Sequence, residues 1–196
     1  MTSPLIYFAR HGQTDWNAES RLQGQADTDI NALGRTQADR NGRRLAELVE
    51  DPAAFDFVAS PLRRTRETME RLRMAMGLPA GDYRTDMRLM ELHFGDWQGR
   101  TFAELEKEQP GISAARHRDK WNYLPPGEHA ETYEMLVERV RPWLKSVAQP
   151  TVCVTHGGIV RAVFKLTGIM DAAQAAAMNV PQDRILRLRD GALEWL

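Results

Sequence analysis

A single cysteine, Cys153, leaves this 196-residue chain without the pairs from which an internal disulfide framework is built. Its start also lacks the basic residues and long apolar stretch of a secretory leader. Together these features lead to the expectation of a cytoplasmic protein. Uninterrupted apolar runs are short, and none approaches the roughly 20 residues a helix needs to cross a bilayer. No membrane association is expected. An excess of either charge is missing too, because 26 Lys and Arg face 27 Asp and Glu. Such a chain offers no global field for a nucleic acid backbone, so any anion has to be captured by a local cluster. Gly/Ser- or Pro-rich linkers and internal repeats are absent, which leads to the expectation of one domain over residues 1–196.

What is present is an alternation of short apolar strands with amphipathic helices. Leu5 to Ala9 reads as a buried strand that runs straight into Arg10, His11 and Gly12. A polar loop from Gln13 to Asp29 follows, then Asn31 as N-cap of a helix with the stripe Ala38, Leu45, Leu48 and Val49. Phe55 to Ala59 reads as a second strand, with Ser60 and Pro61 as cap and first-turn residues of the next helix. The inner stripe of that helix is Leu62, Thr65, Met69, Leu72 and Met76. Thr101 and Glu104 make a capping-box pattern for a short helix that stops near Pro110 and Gly111. Residues 111–127 carry basic and aromatic side chains with weak periodicity, the pattern of a mobile segment that packs over something as a lid.

Tyr133, Leu136, Val140, Leu144 and Val147 recur at helical spacing, with Pro142 expected to kink or stop that helix. Thr151 to Thr155 is a third buried strand and leads into His156, Gly157, Gly158 and a helix through Leu166. Asp171 is placed to cap an alanine-rich helix, and Arg184 to Arg189 alternates ahead of Asp190-Gly191 as a terminal hairpin would. The fold class expected is α/β, a three-layer α/β/α sandwich with a mostly parallel central sheet. Ligands gather at the carboxyl ends of such strands, which is where His11 and His156 fall.

Cleaving a phosphate ester without a metal needs a nucleophile, cationic donors for the equatorial oxygens, and an acid for the departing alkoxide. Neutral imidazole can attack phosphorus, and Gly12 beside His11 lets a phosphate approach the backbone closely. Arg10 adds a planar fork beside that histidine, with Arg63, Arg64 and Arg66 as further candidates.

The chain resembles the histidine phosphatase (phosphoglycerate-mutase-like) superfamily through a series of ordered segments. They are Arg10-His11-Gly12 with Gln13, Thr14, Asp15, Trp16 and Asn17; then Gln23, Gly24 and Asp27; then Leu33, Gly34, Gln37 and Ala38. Ser60, Pro61, Leu62, Arg64 and Thr68 fit its Ser-x-Leu-x-Arg-x-x-x-Thr stretch. Leu89, Glu91, Phe94, Gly95, Trp97 and Gly99 resemble the segment carrying its acid, and Thr155-His156-Gly157 its second histidine. The resemblance implies that His11 becomes phosphohistidine, that Arg10, Arg64 and His156 hold the phosphoryl group, and that Glu91 protonates the leaving oxygen. It also marks Asn17, Gln23, Gly24 and Gly157 as substrate contacts. No metal and no cofactor are expected, except 2,3-bisphosphoglycerate if the enzyme is a phosphoglycerate mutase, the alternative that uses the same site. The weaker match to true mutases after Gly99 favours hydrolysis. The expected partner is a small-molecule phosphate ester, bound by a monomer or homodimer. An idle family member that merely binds a phosphorylated ligand is the reading from a different class.

Other features have plainer readings. His93, His117 and His129 read as structural, and Arg63 and Arg66 as a solvated helix face. Cys153 is not the nucleophile of a thiol phosphatase, because Ile159 stands where that class needs arginine, and it reads as a small buried hydrophobe. Asp27 and Asp29 follow a polar loop rather than a buried strand, which argues against a magnesium site. Trp97 and Trp121 either line a pocket or simply pack. Arg116, His117, Arg118 and Lys120 read as a solvated run or as a group for a substrate carboxylate or second phosphate. Gly127-Glu128-His129 departs from the family's Gly-Glu-Ser, which bears on the lid's contacts.

Overall fold

The computed structural model describes residues 4–196. Six strands form one sheet: β1 (Ile6–Arg10), β2 (Asp56–Ala59), β3 (Arg84–Thr85), β4 (Thr151–Thr155), β5 (Ile185–Arg189) and β6 (Ala192–Trp195). Their spatial order is β3-β2-β4-β1-β5-β6. β3, β2, β4 and β1 pair in parallel, whereas β5 is antiparallel to β1 and β6 to β5. Parallel neighbours need crossovers, and the helices supply them. They are α1 (Asp15–Ala18), α2 (Ala32–Leu48), α3 (Arg63–Ala75), α4 (Phe102–Glu108), α5 (Ile112–Arg118), α6 (Tyr133–Ser146), α7 (Gly157–Leu166) and α8 (Ala172–Ala177).

Both faces of the sheet are covered, so its central strands are apolar on alternate sides. On one face Ile6, Phe8, Val58, Cys153 and Leu186 pack with Leu136, Val140 and Trp143 of α6 and with Ile159 and Val163 of α7. On the other, Tyr7, Ala9, Phe57, Val152 and Val154 pack with Leu45 of α2 and with Met69 and Leu72 of α3. Each such large side chain stabilises the fold by about 1.5–3 kcal/mol on full burial. The result is the expected α/β/α sandwich. Asn31 caps α2 by accepting from the Gly34 N–H, and Thr101 with Glu104 forms the capping box of α4, as their spacing indicated.

Several elements depart from the sequence reading. α3 begins at Arg63 after Leu62, with no side-chain cap, because the Ser60 hydroxyl is engaged elsewhere, with His156. Pro142 does not stop α6, which continues to Ser146. Pro142 and Glu138, the residue whose carbonyl loses its bond, are both exposed, so water can satisfy that carbonyl. The 111–127 segment contains a helix, α5, anchored by buried Ile112 and Trp121. Strand β3 was not anticipated, since both of its residues are exposed and carry no apolar signal.

Candidate active site

Register alone brings the two histidines together. In the parallel pair, Arg10 stands opposite Thr155, and the ladder extends one step further as the His11 N–H donates to the Thr155 carbonyl at 2.9 Å. His11 and His156 therefore leave adjacent strands side by side, with ring centroids 5.2 Å apart at 60°. Both rings are buried. The backbone around His11 is held by close packing: a Cβ on Gly12 would lie 2.3 Å from the Gly34 carbonyl oxygen, so only glycine fits there. The Gly12 N–H donates to Thr68 Oγ1, which ties this turn to α3.

Burial pushes the pKa of His11 well below 6.5, and the nearby charges of Arg64 and Arg10 push the same way. His11 Nδ1 lies 2.8 Å from the Gly12 carbonyl oxygen. A neutral ring facing a carbonyl through Nδ1 carries its proton there, which leaves the Nε2 lone pair free. His156 is likewise pushed well below 6.5, by burial first and then by Arg64, His11 and Arg10. Its Nε2 faces Ser60 Oγ at 2.8 Å. If that hydroxyl donates, His156 Nδ1 holds the proton and is a donor.

The arginines reach the histidines from two elements. Arg10, the last residue of β1, donates from Nη1 to the Val180 carbonyl at 2.7 Å. Arg64, in the first turn of α3, donates to the Ala26 and Gly24 carbonyls at 2.7 and 2.6 Å. Desolvation lowers both guanidinium pKa values to about 10, so both remain charged at neutral pH. Arg10 Nε, Arg64 Nε and His156 Nδ1 are buried side-chain nitrogens without any hydrogen-bond partner among the described residues. Leaving a buried polar group unpaired costs about 1–3 kcal/mol, and one set of acceptor oxygens can satisfy all three.

Glu91 completes the group. Its two carboxylate oxygens accept from the Gly158 N–H at 3.1 Å each, and Oε1 also accepts from the Leu92 N–H. Gly158 is the second residue of α7, so the carboxylate sits against a helix N-terminus. Its negative charge also reaches Arg10 and Arg64.

The remaining positions vary. Asn17 Oδ1 accepts from Thr14 N–H and from Gln182 Nε2, and the latter also donates to the His11 carbonyl, so Asn17 borders the site. Gly157 adjoins Arg10: a Cβ there would lie 3.7 Å from its Nε. Gly24 contributes its carbonyl to Arg64, while the Gln23 carboxamide oxygen is occupied by Thr28 Oγ1. Trp97 and Trp121 pack, stacked on Tyr123 and Tyr133 respectively. Asp27 and Asp29 both serve Arg63, through its N–H and its guanidinium. Among the described residues, no three His, Cys, Asp or Glu side chains gather so as to hold a metal ion. A broad cavity of about 730 Å³ lies elsewhere, lined by Phe57, Arg73 and Tyr83 near the start of β2. Its Arg73 already donates to the Pro79 carbonyl, so it lacks the unpaired donors that mark the histidine site.

Sequence reasoning missed three residues. Ser60 was read as a cap. Gln182 gives no local signal between Pro181 and Asp183. Arg161 was detectable, because it stands four residues after Gly157 on α7 and so shares its helix face.

Two neutral imidazoles and two buried guanidiniums at the carboxyl ends of parallel strands define an α/β enzyme that handles phosphate esters. The chain belongs to the histidine phosphatase superfamily (branch 1), whose sequence profile matches residues 6–191. It is similar to glucosyl-3-phosphoglycerate phosphatase of Mycobacterium tuberculosis, 35% identical over 176 residues, which cover 83% of this chain and 74% of that relative. It also resembles a metal-independent phosphoserine phosphatase of Arabidopsis thaliana, 28% identical over 190 residues, covering 94% and 76%. A solved mycobacterial glucosyl-3-phosphoglycerate phosphatase in complex with VO3 matches with a TM-score of 0.79 at 30% identity, covering 98% of this chain and 96% of that one.

Proposed function

We propose that this chain is a cytoplasmic, single-domain phosphomonoester hydrolase that works without a metal through a phosphohistidine on His11. The reading rests above all on the three unpaired buried nitrogens, Arg10 Nε, Arg64 Nε and His156 Nδ1, beside a neutral imidazole. A phosphoryl group supplies the acceptor oxygens they need. Relatives that are phosphatases, one of them metal-independent by name, support it. Pairing of β1 with β5 puts both ends of the chain in one sheet, which supports a single domain.

In this reading His11 Nε2 attacks phosphorus in line, forming a P–N bond as the P–O bond to the alcohol breaks. Arg10 and Arg64 hold the equatorial oxygens with positioned, positively charged N–H donors, and charge-assisted bonds of this kind are about twice as strong as neutral ones. Glu91 serves as the general acid and gives its carboxyl proton to the leaving alkoxide. Water then attacks the phosphohistidine, Glu91 takes the water's proton, and phosphate departs with His11 neutral again.

Turnover of para-nitrophenyl phosphate and a panel of sugar phosphates, phosphoglycerates and nucleotides tests this. Release of inorganic phosphate is expected in the presence of a chelator and without added 2,3-bisphosphoglycerate. Loss of activity in chelator contradicts the metal-free route, and isomerisation that needs the bisphosphate identifies a mutase.

Gly158→Ala gives a second expectation. A Cβ there would lie 2.0 Å from Glu91 Oε1 and 3.0 Å from Leu136 Cδ2. The carboxylate is the free end of a flexible side chain and can swing aside. The fold is expected to survive, while displacement of the acid by about 1 Å lowers kcat on alkyl phosphates by roughly 10²-fold. Unchanged kcat, with the protein folded by circular dichroism, contradicts this placement of the acid.

A further inference from the structure

Many cations in this protein are paired with carboxylates, but a half-buried group next to the phosphoryl site is not. Arg21, Arg35, Arg71, Arg84, Arg88 and Arg139 each form a close ion pair. Arg116, Lys120 and Arg161 appear in none of the ion pairs of the described residues, although all three are half-buried. Instead, backbone carbonyls hold two of them in place. Lys120 Nζ donates to the Ala176 carbonyl, and Arg161 Nε and Nη2 donate to the Met178 carbonyl at 3.3 and 3.0 Å. The next carbonyl but one, that of Val180, holds Arg10. One short segment, from the last turn of α8 to Val180, thus sets out three cations in the order Lys120, Arg161, Arg10.

The row is continuous with the phosphoryl site. A Cβ on Gly157 would lie 3.1 Å from Arg161 Nη1 and 3.7 Å from Arg10 Nε, so both guanidiniums line the same stretch of wall. Arg116 joins from α5, its guanidinium 5.1 Å from the centroid of the Phe102 ring. Of the basic run noted in the sequence, His117 and Arg118 are exposed, and only Arg116 and Lys120 share this face. The three sense one another: burial, then Arg161 and Arg116, bring the Lys120 ammonium down to about 8, and burial also lowers Arg116. Like charges crowded together in a half-dry place are unfavourable unless an anion joins them.

We propose that Arg161, Lys120 and Arg116 form a second anion-binding pole, and that the preferred substrates are phosphate esters whose alcohol part carries another negative group. This rests on the hydrolase reading above and extends it to substrate class. Arg10 holds the reacting phosphoryl group, and the pole next to it takes a carboxylate or a second phosphate. Arg116 and Lys120 belong to the segment expected to act as a cover, so the tail is read by that segment and by α7 together. A neutral tail leaves the three cations without a counter-charge.

Matched ester pairs test it: glycerol 3-phosphate against 3-phosphoglycerate for a carboxylate tail, and fructose 6-phosphate against fructose 1,6-bisphosphate for a second phosphate. The wild-type protein is expected to favour the charged member of at least one pair by about tenfold or more in kcat/KM, and the favoured pair identifies the group. Lys120→Gln and Arg161→Gln are each expected to shrink that ratio severalfold. A ratio near one in both pairs, or one that neither substitution changes, overturns the proposal. The same ratio is read as Kd by calorimetry on the His11→Gln protein, so it is measured even if no ester is turned over. Equal Kd values within both pairs overturn the pole, whereas absent turnover with unequal Kd values overturns only the hydrolase reading.

Discussion

His11→Ala is expected to lower phosphomonoester turnover by about 10⁴–10⁶-fold, the scale on which loss of a covalent nucleophile is felt. The arginines and His156 remain in this variant, so phosphate should still bind. The side chain's recorded polar contact is with the Gly12 carbonyl beside it, so the fold does not depend on a bond to a distant element. A thermal midpoint within a few degrees of the wild-type value is expected. Steady-state kinetics on para-nitrophenyl phosphate alongside thermal unfolding reads both effects. Activity above one part in about 10³ in a folded variant removes His11 from the covalent role.

Glu91→Gln is expected to separate substrates by leaving group. Positioned general acids contribute about 10²–10⁴-fold, and that is the loss expected for alkyl phosphates, whose alkoxides need a proton as they leave. Aryl phosphates with stable leaving groups should lose far less. The glutamine carboxamide oxygen can still accept from the Gly158 and Leu92 N–H groups, so the backbone contacts that seat the side chain persist. Comparable losses on both substrate types place the proton donor elsewhere.

How much of this could be read from sequence follows the physics of each element. β1, β2 and β4 are buried on both faces, so their apolar runs announced them, and the parallel register then set His11 beside His156 without any side chain choosing it. Helix ends were legible where a side chain caps them, as at Asn31 and Thr101, and illegible at Leu62, where none does. Ser60 looked like that missing cap because its type suits the role; its contact with His156, 96 residues away, is set by packing alone. The close approach of Gly12 and Gly34 depends on a loop returning across the site, and nothing local encodes it. The carbonyl row from Ala176 to Val180 was hidden for the same reason, since backbone acceptors leave no mark in the sequence, whereas the i, i+4 spacing of Arg161 from Gly157 was open to view. The grouping of Arg10, Arg64, Glu91 and His156 around His11 followed from strand-end logic and from the family resemblance together.

The central claim is a covalent bond between His11 and phosphorus, and the direct measurement is capture of that adduct. Protein mixed with a radiolabelled ester and quenched in alkali within one turnover is expected to carry label that withstands base, is released by acid, and maps to the peptide containing His11. Absence of label during active turnover, or label on any other residue, contradicts the mechanism.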